Sequence, residues 1–311
     1  MPRQASPGSE AFLPRAVPSR AQLATFWNFA RCDQLAAFIN HTRTRLDTSD
    51  AALWRAAGLP INSDGLLQFT TTEENTYDGG PGGTREDIVS NALVWLISKI
   101  TNLIAEKDEG AHTTLPPRHD YTTLTESLFP GLVELNGSDI QRRSGAWKDL
   151  EQQVDYWFNT LPEGFRPAGR IEASSDFLTC PFPEIFYSIP MCAAATQHYH
   201  FARVLLLLHK PQNAIPDRNL GDSIRHHREI ATKVTYHCRE ICGIAIGSLP
   251  GYVRIHMLQP LFVAGQCLEH HSERRKVVTI LRGIEQDLGW ATEYRVQQLL
   301  LEWGWETNTP I

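Results

Sequence analysis

The sequence has no surplus of basic charge. Its 29 Lys and Arg stand against 35 Asp and Glu, giving a formal net charge of -6. A chain that grips a nucleic-acid backbone unaided usually shows a basic excess or a dense Lys/Arg stripe. Only Arg142-Arg143 and Arg274-Arg275-Lys276 stand out, and such short runs read as solvated helix faces. Sustained apolar runs are also lacking. The strongest, Val204 to Leu208, halts at His209-Lys210-Pro211, well short of the roughly 18 residues of a membrane span. Met1 to Pro18 mixes Pro, Ser, Arg and Glu without an apolar core, which argues against a secretory signal and for a disordered leader over residues 1–18. The expectation is a protein inside the cell, without a membrane partner.

Cysteine is sparse and scattered. The six, Cys32, Cys180, Cys192, Cys238, Cys242 and Cys267, do not form the repeated doublets of a zinc site. Only Cys238 and Cys242 are closely spaced, and four residues apart they share one helix face. Buried, reduced thiols are expected. Catalytic signatures are missing too. No Asp-rich run lies in an apolar helix to hold magnesium and diphosphate; Asp47-Thr48-Ser49-Asp50 sits near a helix junction. Gly79-Gly80-Pro81-Gly82-Gly83 lacks the Lys and Ser/Thr of a phosphate loop. Gly221-Asp222-Ser223 lacks the second glycine of a nucleophile elbow and reads as a helix cap. The chain is not expected to be an enzyme or to hold a cofactor or metal.

What is present is helical spacing, segment after segment. Ser19 caps a helix with Leu23, Phe26, Trp27 and Ala30 inside, continuing through Leu35, Phe38 and Ile39 to Leu46. A short helix, Ala51 to Ala57, stops at Gly58 and Pro60. Thr84 and Asp87 resemble a capping box before a helix with Ile88, Ala92, Leu96, Ile100 and Leu103. Ser144 is read as the cap of a helix bearing Trp147, Leu150, Val154, Trp157 and Phe158. A helix from about Pro183 to His209, kinked at Pro190, is apolar nearly all round and belongs at a bundle centre. From about Gly221 to Ile246 a stripe of Ile224, Ala231, Val234, Cys238, Ile241 and Ala245 faces inward. Three further helices follow, about 253–271 (bent at Pro260), 273–288 and 291–303. The fold class expected is all-α, a multi-helix bundle over residues 19–311 forming one domain, with loops at about 73–83, 108–136 and 164–181.

Five stretches carry a resemblance. They are Phe26-Trp27-Asn28-Phe29-Ala30-Arg31-Cys32-Asp33, Leu53 to Pro60, Trp147 to Pro167, Pro181-Phe182-Pro183-Glu184-Ile185 leading into Tyr199 to Leu206, and Ile241-Cys242-Gly243-Ile244-Ala245. In this order they resemble the regulatory domain of fungal zinc-cluster transcription factors. The resemblance implies an all-helical bundle of that regulatory type in a fungal nucleus. It implies contacts with the transcription machinery or a related factor, dimerisation, a small-molecule effector, and control of a metabolic or secondary-metabolite pathway. Full-length relatives carry an N-terminal six-cysteine zinc cluster that binds DNA; no paired-cysteine module precedes Phe26 here. Zinc is therefore expected only in a missing N-terminal cluster, and direct DNA binding is not expected from this chain alone. Either the sequence is a fragment or it is a relative without the DNA-reading module.

The candidate effector site is Tyr199, His200 and Arg203, whose polar tips lie among leucines on the central helix. A buried Arg needs a carboxylate or several carbonyls, so a structural ion pair competes with ligand binding there. His198 and His200, two residues apart, point about 200° apart on a helix and do not chelate one ion together. The reading set against a regulator is a cofactor-free helical enzyme or small-molecule carrier.

Overall fold

The computed structural model describes residues 18–69, 83–111, 137–173, 180–211 and 220–305. The leader and the glycine-rich loop lie almost entirely outside the described residues, as does most of the 108–136 stretch.

At the centre runs the apolar helix α5, Pro190–Leu208, with Cys192, Ala193, Phe201, Ala202, Val204 and Leu205 sealed from solvent. Its predecessors in the chain are α1 (Arg20–Ile39), α2 (Ala51–Ala56), α3 (Arg85–Ala111) and α4 (Gly137–Asn159). After it come α6 (Leu220–Ile246), α7 (Gly251–Arg254), α8 (Leu258–Cys267), α9 (His271–Leu288) and α10 (Glu293–Glu302). Helices α3, α4, α6 and α8 pack on α5, while α1 lies on α3, and α9 and α10 lie on α8. β1 (Gly169–Ile171) and β2 (Glu184–Phe186) form one short antiparallel pair. The fold is all-α.

Local chemistry accounts for the helix starts. Ser19 and Gln22 close a reciprocal capping box on α1. Asp50 Oδ1 accepts from the N–H groups of Ala52 and Leu53, each at 3.0 Å. The capping box expected at Thr84 forms, with Asp87 Oδ2 accepting from Thr84 N–H at 2.8 Å and Thr84 Oγ1 from Asp87 N–H at 3.2 Å. Gly58 (φ 95°) follows α2 and Gly289 (φ 67°) caps α9, backbone conformations that favour glycine.

Several elements depart from the sequence expectations. Helix α1 ends at Ile39, not Leu46, because His41 turns left-handed (φ 53°) and the next stretch is fastened by side chains. Asp33 Oδ2 accepts from Leu46 N–H at 3.0 Å, and Asn102 Oδ1 accepts from Thr44 N–H at 2.8 Å. Leu35 and Ile39 lie on the exposed face of α1, whereas Asp33 and Gln34 are buried. Ser144 is inside α4 and not its cap. Pro190 does not kink a long helix; it opens α5 at the first helical position, where its missing N–H costs nothing. Asp222 and Ser223 fall within the first turns of α6, which begins at Leu220. Ile224 and Ala231 are exposed, so the buried stripe of α6 starts at Val234. The bend expected at Pro260 occurs earlier, in the 3-10 turn Ile255–Met257. By length and composition Arg85–Glu106 is apolar enough to cross a membrane, a stretch that Ser90, Asn91, Ser98 and Thr101 disguise in the sequence; 72% of its apolar 18-residue window is buried within the bundle.

Two of the sequence stretches singled out above prove to be partners. Gly243 and Gly247 present a bare surface on α6 and at its end, against which the backbone of Pro183 to Ile185 lies. A Cβ at Gly243 would stand 2.5 Å from the Pro183 carbonyl oxygen, inside van der Waals contact. Six indoles tie other segments together. Trp27 donates to Ala57 O, Trp54 to Asp47 O, Trp95 to Thr48 O, Trp147 to Leu206 O, Trp157 to Val89 O and Trp303 to Gly265 O, at 2.8 to 3.2 Å.

Two outcomes are expected from this packing. Trp157→Phe, which keeps an apolar ring but deletes the bond from α4 to α3, lowers stability by about 1–3 kcal/mol; Trp290→Phe, at a 52% exposed position, leaves it unchanged. Gly243→Ala overpacks the α6–β2 contact and costs about 1–3 kcal/mol. Urea midpoints at constant slope measure both.

Candidate functional site

Tyr199, His200 and Arg203 lie on one stretch of α5, where α4 passes on one side and α6 on the other. Tyr199 is 7% exposed. Its ring stacks on Phe158 of α4, with centroids 4.4 Å apart, and on Trp157 at 5.8 Å. Burial pushes its hydroxyl up to about 12, so it stays protonated.

One turn on, Arg203 Nη1 donates to Asp155 Oδ1 of α4 at 2.6 Å, and its Nη2 lies 3.8 Å from Glu151 Oε1. The carboxylate that a guanidinium on an apolar helix requires is therefore supplied by the neighbouring helix. Arg203 Nε is buried and has no hydrogen-bond partner.

His200 faces the other way. Its Nδ1 lies 2.8 Å from Nδ1 of His237 on α6. Burial drives His200 well below its ordinary pKa, with His237, Arg170 and Arg203 acting in the same direction. Burial, helped by Arg203, takes His237 down to about 4. Both imidazoles are neutral near pH 7, so one Nδ1–H donates to the other ring's lone pair. The bond survives one added proton, which settles on the donor ring's Nε2, but with both rings protonated two N–H groups would stand head to head and the bond would be lost. His198 does not join this pair; its Nδ1–H donates to Ala194 O at 2.8 Å.

A charged clasp flanks the histidines. Arg170 of β1 grips Glu240 of α6 through two bonds of 2.9 and 2.7 Å, and its Nε donates to Glu172 at 2.6 Å. The Glu240 hydrogen bonds hold the guanidinium above its ordinary pKa.

The three residues picked out from the sequence are thus neighbours, each closed by a partner from another element. Sequence reasoning missed those partners: Asp155, Glu151 and His237. Asp155 carried a signal, an acid beside Val154 and Trp157 on an otherwise inward helix turn. His237 carried one as well, lying next to Cys238 on the buried stripe of α6. Among the described residues no group of three or more His, Cys, Asp or Glu is arranged to hold a metal ion. A cavity of about 20 Å³, room for a water molecule, lies at the C-terminal end of α5 between Ile104, Trp147, Leu206 and His209. It touches none of the three candidate residues.

A helical bundle whose inner polar groups close on one another is a scaffold held in one arrangement by side-chain pairs. Residues 89–309 match the fungal specific transcription factor domain, and the chain belongs to that family. It is 36% identical over 302 residues to "Transcription activator AMTR1" of Alternaria alternata, an alignment covering 94% of this chain and 37% of that protein. The chain therefore spans little more than a third of that relative's length. No solved structure matches.

The buried imidazoles set a pH dependence. Unfolded, a histidine takes its proton near pH 6.5; folded, His237 does so at about 4. Between those values the unfolded state binds the extra proton, so stability is full above pH 6.5 and declines as pH falls toward 4. Each such histidine contributes at most about 1.4 kcal/mol per pH unit. His237→Asn is expected to flatten this slope in urea titrations at pH 7, 6 and 5.

Proposed function

We propose that this chain is the regulatory region of a transcription factor, working in the nucleus through contacts with other proteins. The observation that carries the reading is the 36% identity to a transcription activator along 94% of this chain, together with the family match over 89–309. The net charge of -6 supports a role in which DNA is read by another module or partner. The pathway it serves is a metabolic or secondary-metabolite one in this reading.

Within it, the Tyr199–His200–Arg203 cluster is the point at which a small effector biases the bundle. Arg203 keeps a buried Nε–H without a partner, and its ion pair with Asp155 joins α5 to α4. An enzyme or carrier is less well supported, because the polar groups of the cluster are engaged with one another rather than converging on a space.

The test fuses the full chain to a heterologous DNA-binding module and reads a reporter in fungal cells. A change of several-fold relative to the module alone is expected, with the unfused chain giving no shift of promoter DNA on a gel. A fusion that enters the nucleus and leaves the reporter at the level of the module alone refutes the regulatory reading.

A further inference from the structure

Helix α1 carries apolar residues on both faces, whereas an ordinary surface helix turns charge to water. Its charged residues are Arg20, at the first position, Arg31 and Asp33. The two in the body of the helix engage the bundle. Arg31 Nη2 donates to Asn91 Oδ1 of α3 at 2.6 Å, and Asp33, 7% exposed, accepts from Leu46 N–H. Gln34 is buried as well and donates to Thr101 Oγ1 of α3 at 3.3 Å. The outward face carries Phe29, Cys32, Leu35, Ala36 and Ile39 instead. Phe29 is 44% exposed, and Leu35 and Ile39 are each 40% exposed.

The spacing of that face is specific. Phe29, Cys32, Ala36 and Ile39 follow one another at three, four and three residues, the repeat of a helix-pairing seam, and Leu35 flanks it. Small Cys32 and Ala36 lie between bulky Phe29 and Ile39, so the face offers a hollow between two knobs. It carries no charge. Two copies of it meet without repulsion, and nothing on it selects an oppositely charged partner. Such a face is complementary to itself, as a two-fold interface requires.

We propose that this face of α1 is the seam of a reversible homodimer, in which α1 of one copy packs on α1 of a second copy of this chain. At 1.5 Å per residue α1 is about 30 Å long, and a face one helix wide covers roughly 300–400 Å² on each copy. That size belongs to weak, reversible association and not to an obligate dimer. Cys32 sits in the middle of the seam, exposed in the single chain and covered in the pair. Because the Arg31 and Gln34 bonds fasten α1 to α3, the seam joins two whole bundles and not two loose helices. The pairing stands whether or not the chain regulates transcription.

The experiment uses the full chain in a phosphine reductant, which keeps Cys32 from cross-linking the copies. Sedimentation velocity from about 0.1 to about 100 µM, a range that brackets weak association, should show a shift from monomer to dimer. Over the same range the alkylation rate of Cys32, read by peptide mapping, should fall several-fold, while that of half-buried Cys180 stays constant. Phe29→Glu and Ile39→Glu, both at exposed positions, should keep the helical circular dichroism of the parent. Each should remain monomeric at the highest concentration and alkylate Cys32 at the monomer's rate. Leu301→Glu, at a 70% exposed position of α10, should dimerise as the parent does. The proposal is overturned by a parent chain that stays monomeric at the highest concentration, or by a Cys32 rate that does not change with concentration. A dimer that survives both substitutions on α1, or one that Leu301→Glu abolishes, overturns it equally.

Discussion

Most polar groups carried into this bundle find a partner, often on another segment of the chain, because an unpaired donor in the core costs about 1–3 kcal/mol. That requirement organises the fold. Six tryptophans bring large apolar surfaces inward, and each indole N–H finds a backbone carbonyl in a different place. Trp157 binds α4 to α3 and Trp147 binds α4 to α5. Trp54 and Trp95 hold the irregular stretch between α1 and α2 at Asp47 and Thr48. Burial supplies the attraction, and the donors select which surfaces may touch.

The same rule shapes the cluster around α5. Tyr199, His200 and Arg203 lie within about one turn of one helix yet look toward different neighbours. Arg203 finds Asp155 on α4, and His200 finds His237 on α6. The central helix is therefore clamped on two sides by pairs that respond to different conditions. The ion pair weakens with salt where it is exposed, and the imidazole pair weakens with acid.

Much of the architecture was legible beforehand. The all-α class, the central position of α5 and the caps at Ser19 and Thr84 follow from spacing and local hydrogen bonding, which act over three or four residues. The errors fall where tertiary contacts override a local pattern. Pro190 reads equally well as a kink or as a first helical residue. What settles it is the pairing of Glu184–Phe186 with Gly169–Ile171, which draws the preceding residues into a strand. Ile224 and Ala231 continue the stripe of α6 in sequence, but the packed part of that helix begins only at Val234.

By itself, then, the order of residues determined the helix starts at Ser19 and Thr84, which helix is buried nearly all round, and that Tyr199, His200 and Arg203 share one region of α5. Those features rest on neighbours a turn away. Only the folded chain decided that Arg203 would meet Asp155, that His200 would meet His237, and that Gly243 would receive the Pro183 backbone. Each joins residues dozens of positions apart, and nothing in a single sequence marks two distant side chains as complementary until packing brings them within hydrogen-bond reach.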